Sequence, residues 1–464
     1  MTTIHVEVVE TSSLGDRSYL AHDGHVALVV DPQRDIDRIL ALAGRLGVRI
    51  THVAETHLHN DYVSGGLALA QVTGAAYLVA GADTVGFERL PVADGDEIAL
   101  SEGMRVQAVA TPGHTFHHLS YILTGPEGPE GVFTGGSLLF GTTGRTDLLG
   151  AEHAHTLAHH QHASARRLAD LLPDGAHIWP THGFGSFCSA TQSDAPASTI
   201  GREKQANPVL RLEADDFVAQ TLAGLDAYPA YYAHMGARNS TGADLIDLTP
   251  VQSADAAQLR ERIAAGEWVV DLRSRKAFAT RHLTGTLSFG LDGPMSTWLA
   301  WMAPWGAPIT LLGDSPEQVT AAQRELARIG IDRPAAAATG TPEQWAGDET
   351  RLAELTVAAF TDLAAARAGR DTGDLPAPDV VLDVRMTNEW RAGHIDGAVH
   401  IPLPDLPARL ADVPDGTVWV HCGSGYRAAA ATSLLARAGR TVVHIDDAYS
   451  GAAGAGLTIT APEN

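Results

Sequence analysis

Four residues of different chemistry recur at one fixed spacing in the second half of this chain. Asp271, Arg273, His282 and Gly285 lie 112 positions before Asp383, Arg385, His394 and Gly397. A constant offset across four residue types marks a duplicated segment, and it dictates how that half can fold. The flanking stretches agree: LIDLTP at 245–250, WVVDLRSRKAFATRHLTGTLS at 268–288 and a helical run at 316–328 match LTVAAFT at 355–361, VVLDVRMTNEWRAGHIDGAVHIP at 380–402 and a helical run at 428–438. Two small α/β domains are therefore expected, at 244–353 and 354–464.

The first half is organised differently. Over residues 1–195 short strands are predicted at 4–9, 18–21, 26–30, 76–80, 105–110, 119–123 and 177–180, with helices at 35–46, 64–71 and 156–172. That alternation suggests sheets packed on each other with helices outside. Residues 196–243 read as a bridging segment with one helix at 213–225, packed on the first domain. Three strand ends in the first half carry histidine: THLHND at 56–61, TPGHT at 111–115 and PTHG at 180–183. Two histidines one residue apart at the mouth of a strand can turn toward one centre. A Pro-Gly turn fixes where a third imidazole points. Imidazole suits zinc or iron.

In this order THLHND, TPGHT, FTGG (133–136), GRTD (144–147) and PTHG make the segment similar to the metallo-β-lactamase fold of glyoxalase-II-like hydrolases and persulfide dioxygenases. The resemblance implies an αββα sandwich over 1–195. It also implies a first metal position lined by His57, His59 and His114, and a second drawing on Asp61 and His182. Two departures stand out: Tyr62 occupies a position that is usually histidine, and Gly136 one that is usually a ligating aspartate. Losing that carboxylate argues against a binuclear hydrolase. A single ion on three neutral imidazoles remains reasonable chemistry. The resemblance implies one Fe(II), with Zn(II) or a metal-free site as alternatives. Arg145 could hold a substrate carboxylate as a bidentate fork, or tie its own loop to Asp147. The cluster His153, His155, His159, His160 and His162 reads as an exposed helix, and Cys188 as a small buried thiol.

The second reactive feature is VWVHCGSGYR at 418–427. An apolar strand runs into Cys422, and a glycine-containing loop then leads to an alanine-rich helix. Loop amides and a helix N-terminus can face the sulfur and stabilise a thiolate or an anionic sulfur attached to it, with Arg427 adding a cation. This segment resembles rhodanese, a sulfurtransferase that carries sulfane sulfur as a cysteine persulfide. The match extends to Asp383-Val384-Arg385 and Gly393-His394-Ile395-Asp396-Gly397. In the first copy Gly313 falls opposite Cys422, so transfer chemistry is absent there. Packing, orientation or formation of a homodimer are the roles left to it, with Trp298, Trp301 and Trp305 as an aromatic contact surface.

Composition narrows the partners. The net charge of -23, from 32 basic and 55 acidic residues, weighs against nucleic acid. No apolar run is long enough to span a bilayer, and the start of the chain carries no basic-then-apolar segment, so a cytoplasmic protein without membrane contact is expected. Two cysteines cannot make a disulfide framework and read as free thiols. Together the resemblances imply oxidation of a low-molecular-weight thiol persulfide, such as that of glutathione, to sulfite at a mononuclear iron. Sulfur transfer through Cys422 would be coupled to it, with sulfite or thiosulfate as partners. The alternatives are a sulfurtransferase with a non-catalytic first domain and a zinc-dependent thioester hydrolase.

Overall fold

The computed structural model describes residues 3–190, 196–348 and 351–460. The chain forms two compact units, residues 1–246 with 327–330, and residues 247–326 with 331–464. The first unit is built on two six-stranded sheets. One holds β1 (His5–Thr11), β2 (Asp16–His22), β3 (Val26–Val30), β4 (Arg49–Ala54), β5 (Ala76–Ala80) and β6 (Leu90–Val92), side by side in sequence order. The other holds β7 (Glu97–Ala99), β8 (Arg105–Ala110), β9 (Leu119–Gly125), β10 (Gly128–Gly135), β11 (His177–Pro180) and β12 (Ser198–Thr199), also in order. Hairpins give way to parallel pairing at β3–β4 in the first sheet and at β10–β11 in the second. The Asp23-Gly24 turn joins β2 to β3: Asp23 Oδ1 accepts from the amides of His25 and Val26, and Gly24 adopts φ +90°.

Alternation along the strands sends side chains to both faces. Tyr19, Leu28 and Val30 of the first sheet meet Val106, Tyr121 and Phe133 of the second in one core. Each such fully buried side chain contributes about 1.5–3 kcal/mol. The outer face of the first sheet packs against Ile39 and Ala43 of helix Asp37–Leu46 and Leu69 of helix Gly66–Thr73. Ala158, Ala165 and Leu168 of helix Ala151–Leu171 cover the outer face of the second. The result is the expected four-layer αββα sandwich.

Some boundaries differ from expectation. The long helix starts at Ala151, five residues before the predicted 156. The boundary predicted at 195 lies outside the described residues, and β12 beyond it still pairs with β11. The bridging segment holds four helices where one was predicted: Ile200–Ala206, Pro208–Arg211, Ala214–Gly224 and Tyr232–Thr241. The first two are too short for a hydrophobic period to show. They are started by the side chains of Thr199 and Asn207, which accept from the amides of Arg202 and Val209.

The second unit contains both copies of the duplication, each with its own parallel sheet. The first sheet runs Leu287–Ser288, Trp268–Asp271, Ile309–Gly313, Ala336–Thr339. The second runs Thr356–Ala358, Val442–Ile445, Val418–His421, Val380–Asp383, Val399–His400. The 245–250 stretch forms no strand, unlike its counterpart at Thr356–Ala358. In each copy the recurring aspartate and arginine form a buried forked ion pair, Asp271 with Arg273 and Asp383 with Arg385. Asp271 pairs in register with Leu312, and Asp383 with His421. Gly313 is therefore the structural counterpart of Cys422. Of the three tryptophans expected to form a surface, Trp298 and Trp301 are buried and stack at 5.3 Å, and only Trp305 is exposed.

Candidate metal centre and sulfur-transfer loop

The loop after β4 carries His57 and His59, the loop after β8 carries His114, and the loop after β11 carries His182. Parallel and antiparallel pairing brings these strand ends together, and all four imidazoles are buried. His57 lies 4.1 Å from His59, 4.8 Å from His114 and 5.4 Å from His182 between ring centroids.

Hydrogen bonds to the far side of each ring decide which nitrogen is free. The Thr56 hydroxyl donates to Asp31 Oδ2 at 2.7 Å, so its oxygen accepts from His57 Nδ1 at 2.9 Å. His114 Nδ1 donates to the Arg145 carbonyl at 2.8 Å. His182 Nδ1 is held at 2.9 Å from Asp16 and 3.2 Å from Asp61. The Tyr62 hydroxyl donates to the Asp31 carbonyl and accepts from His59 Nε2 at 3.0 Å, with Glu55 and Asp31 carboxylates at 3.2 and 3.3 Å from the same nitrogen. Around a cation, each ring would turn a proton outward and offer the lone pair of its other nitrogen. His114 Nε2, His59 Nδ1 and Asp61 Oδ1 are buried without a hydrogen-bond partner. His57 Nε2 and His182 Nε2 face each other at 3.5 Å. Such a set is stable around a cation, and the outer carboxylates, carbonyl and hydroxyl orient ligands as in metal sites generally.

Ligand atoms of His57, His59 and His182 lie within 4.8 Å of one another, as do those of His114, His182 and Cys188, and those of Asp16, Asp61 and His182. The predicted trio does not form one such group: His57 and His59 gather with His182, and His114 gathers with His182 and Cys188. Without a cation, protons take its part. Burial alone would push His59 and His182 down, but Asp31 and Glu55 hold His59 up at about 10, and Asp61 and Asp16 hold His182 at about 9. Burial, then the neighbouring histidines, keeps His57 well below the ordinary value, and burial with His182 takes His114 to about 3.

Gly136 explains the shape of the site. A Cβ there would lie 2.9 Å from His114 Nε2, and closer still to Cδ2 and Cγ of the same ring. The imidazole fills the space of the missing side chain. Arg145 is engaged within its own surroundings. Its guanidinium forks onto Asp147 at 2.7 and 2.8 Å and also reaches the Phe187 and Asp226 carbonyls, which makes it the loop tie. The helix histidines serve no common centre: His162 bonds the Leu212 carbonyl, while His155 and His159 stack on each other. Sequence reasoning missed Asp16, Asp31 and Glu55, which stand far along the chain from the histidines they orient or, for Glu55, carry no motif. It also missed His118, which stacks on His57 at 5.0 Å and accepts from the Gly136 amide at 3.0 Å.

In the second unit Cys422 ends its strand as expected. Its Sγ accepts from the Gly425 amide at 3.2 Å and the Ala428 amide at 3.4 Å, at the start of helix Tyr426–Arg437. Arg427 forks onto Glu389 at 2.5 and 2.7 Å. Arg275 of the cysteine-free copy reaches the Ser424 carbonyl at 3.5 Å, and the Tyr426 hydroxyl donates to the Gly290 carbonyl at 2.9 Å. In that copy Gln318 fills the corresponding loop, accepting from the Asp314 amide and donating to the Leu272 carbonyl. Both halves of the second unit thus build the one cysteine loop.

Residues 17–182 match the profile of the metallo-β-lactamase superfamily, and residues 364–455 match that of the rhodanese-like domain. A hydroxyacylglutathione hydrolase of Nitrosococcus oceani is 31% identical over 40% of this chain and 77% of its own length. The human mitochondrial persulfide dioxygenase ETHE1 is 29% identical over 45% of this chain and 74% of its own. A metallo-β-lactamase crystal structure from Staphylococcus aureus superposes with a TM-score of 0.65 at 29% identity, covering 73% of this chain and 99% of that one. The chain belongs to the metallo-β-lactamase superfamily. It fuses that domain to a C-terminal rhodanese-like domain.

Proposed function

We propose that this chain is a sulfane-sulfur enzyme with two centres. It oxidises a low-molecular-weight thiol persulfide to sulfite at a single metal ion, and it transfers sulfur through Cys422. The observation that carries the reading is the Cys422 loop, where two backbone amides point at one buried sulfur. Such amides suit a thiolate and, after reaction, a persulfide anion. In the transfer step the Cys422 thiolate attacks the outer sulfur of thiosulfate. The S–S bond breaks, sulfite leaves with the electron pair, and a cysteine persulfide remains. An acceptor nucleophile (cyanide in an assay, sulfite or a thiol otherwise) then takes the outer sulfur and regenerates the thiolate.

In the first unit His57, His59, His114 and His182 would hold the ion. A bound Fe(II) supplies the O2 chemistry that the balance requires: persulfide, O2 and water give thiol, sulfite and two protons. The chain's own groups fix imidazole tautomers: Thr56 at His57, the Arg145 carbonyl at His114, Asp16 and Asp61 at His182. Likeness to the persulfide dioxygenase ETHE1 supports this chemistry. Several relatives are named hydroxyacylglutathione hydrolases. Gly136 and Tyr62, which remove two donors of a binuclear site, count against thioester hydrolysis here.

An oxygen electrode and a thiosulfate:cyanide assay separate the two centres. The iron-loaded chain is expected to consume O2 with glutathione persulfide, and Cys422→Ala to lose cyanide transfer while keeping O2 uptake. Cyanide transfer without O2 uptake in the iron-loaded chain would leave only the transferase. Metal-dependent cleavage of an acyl-glutathione without O2 would favour the hydrolase.

A further inference from the structure

The loop after β11 does more than deliver His182. Six residues on, it buries Cys188, whose thiol interacts with Tyr232 and Asp61. Its sulfur lies with one nitrogen each of His114 and His182 in a group whose ligand atoms are all within 4.8 Å of one another. The backbone holds that meeting from both sides. The Cys188 carbonyl accepts from the Arg145 amide at 2.8 Å, and the Arg145 carbonyl accepts from His114 Nδ1 at the same distance. The Cys188 amide donates to Ser186 Oγ, whose hydroxyl faces Asp61. Thiol and imidazole are therefore set by one pair of strand-like contacts, continued by the Gly144–Ser189 bridge. His114 also keeps one buried nitrogen, Nε2, without a hydrogen-bond partner.

We propose that Cys188 ligates the ion together with His114 and His182, its thiolate supplying the negative charge that Gly136 cannot. The inference rests on the reading that the imidazole cluster holds a metal, and deepens it. As the metal–sulfur bond forms, the thiol proton leaves to solvent, because a coordinating thiol is deprotonated outright. Beside neutral imidazoles, one thiolate gives a divalent ion the same net charge as one carboxylate. The softer donor shifts the preference toward ions that accept sulfur, Zn(II), Co(II) and Fe(II) among them.

Cobalt reads this out without turnover. Cys422→Ala leaves Cys188 as the single cysteine in the chain. That variant, prepared anaerobically with a phosphine reductant and loaded with Co(II), is expected to show sulfur-to-cobalt charge-transfer absorption. X-ray absorption should find a metal–sulfur shell at about 2.3 Å, the distance typical of thiolate. Both signals should vanish in Cys188→Ser/Cys422→Ala. If the double variant does not fold, the Cys422→Ala spectrum decides alone, since a methionine thioether gives no thiolate charge transfer. Cobalt retained with nitrogen and oxygen neighbours alone overturns the proposal while leaving a metal centre in place. No cobalt retained at all overturns both the proposal and the reading beneath it.

Discussion

At the scale of single residues, Gly136 and the His114 ring are fitted to each other. Gly136 lacks a ligating side chain, and the His114 ring occupies the space one would fill. Gly136→Asp is therefore expected to lower stability by about 1–3 kcal/mol through overpacking and to weaken metal uptake, measured by urea denaturation and metal analysis. An aspartate variant of unchanged stability that binds metal more tightly would contradict this. Glu389 gives a pH prediction. Burial pushes its carboxyl up, but the Arg427 fork outweighs burial and holds it below the ordinary value. The folded pKa is depressed, so the pair's stabilisation is present above the unfolded value of about 4.3 and fades as pH falls through the lower folded one. Allowing for solvent at the exposed edge of Glu389, that stabilisation is about 1 kcal/mol. The urea-midpoint gap between wild type and Glu389→Gln should stay constant at neutral pH and shrink only in acid. A gap that closes between pH 8 and 6 would rule the assignment out. The histidines at 57, 59, 114 and 182 and the cysteine at 422 were legible in the sequence because each follows a strand end. Arg145 was not, since a short Arg-Thr-Asp segment reads equally as a substrate fork or a loop tie until Asp147 and two carbonyls are seen to fill its guanidinium.

At the scale of elements, the duplication supplies a matched comparison. The strand Trp268–Asp271 and the strand Val380–Asp383 each end in an aspartate locked to an arginine two residues on, with both partners buried. Removing one partner of such a pair leaves an uncompensated charge inside and costs about 3–5 kcal/mol. Asp271→Ala and Asp383→Ala should each lose stability in that range by denaturant unfolding, although only the second lies near a reactive loop. A loss under about 1 kcal/mol in both would show the pairs to be solvated. The constant offset made these elements readable without structure. The short helices at Ile200–Ala206 and Pro208–Arg211 escaped because capping side chains start them, and an apolar period needs more turns than they have.

At the scale of the whole molecule, the chain divides into two compact units, and the proposed function asks a metal of one and only a thiol and its loop of the other. No helix among the described residues is long and apolar enough to cross a membrane. The αββα order and the paired α/β copies followed from strand–helix alternation and repetition. The carboxylates behind the histidines did not, because Asp16 and Asp31 reach the site from β2 and the end of β3, across the sheet and far in sequence. The central claim is that imidazole lone pairs brought together from three chain segments hold one ion. Metal analysis of the chain loaded anaerobically with Fe(II) and then desalted tests it directly, beside His114→Ala and His182→Ala. The account predicts a single ion per wild-type chain, lost in both variants, with thiosulfate:cyanide transfer unchanged throughout. Wild type that retains no iron, or variants that retain it fully, would contradict it.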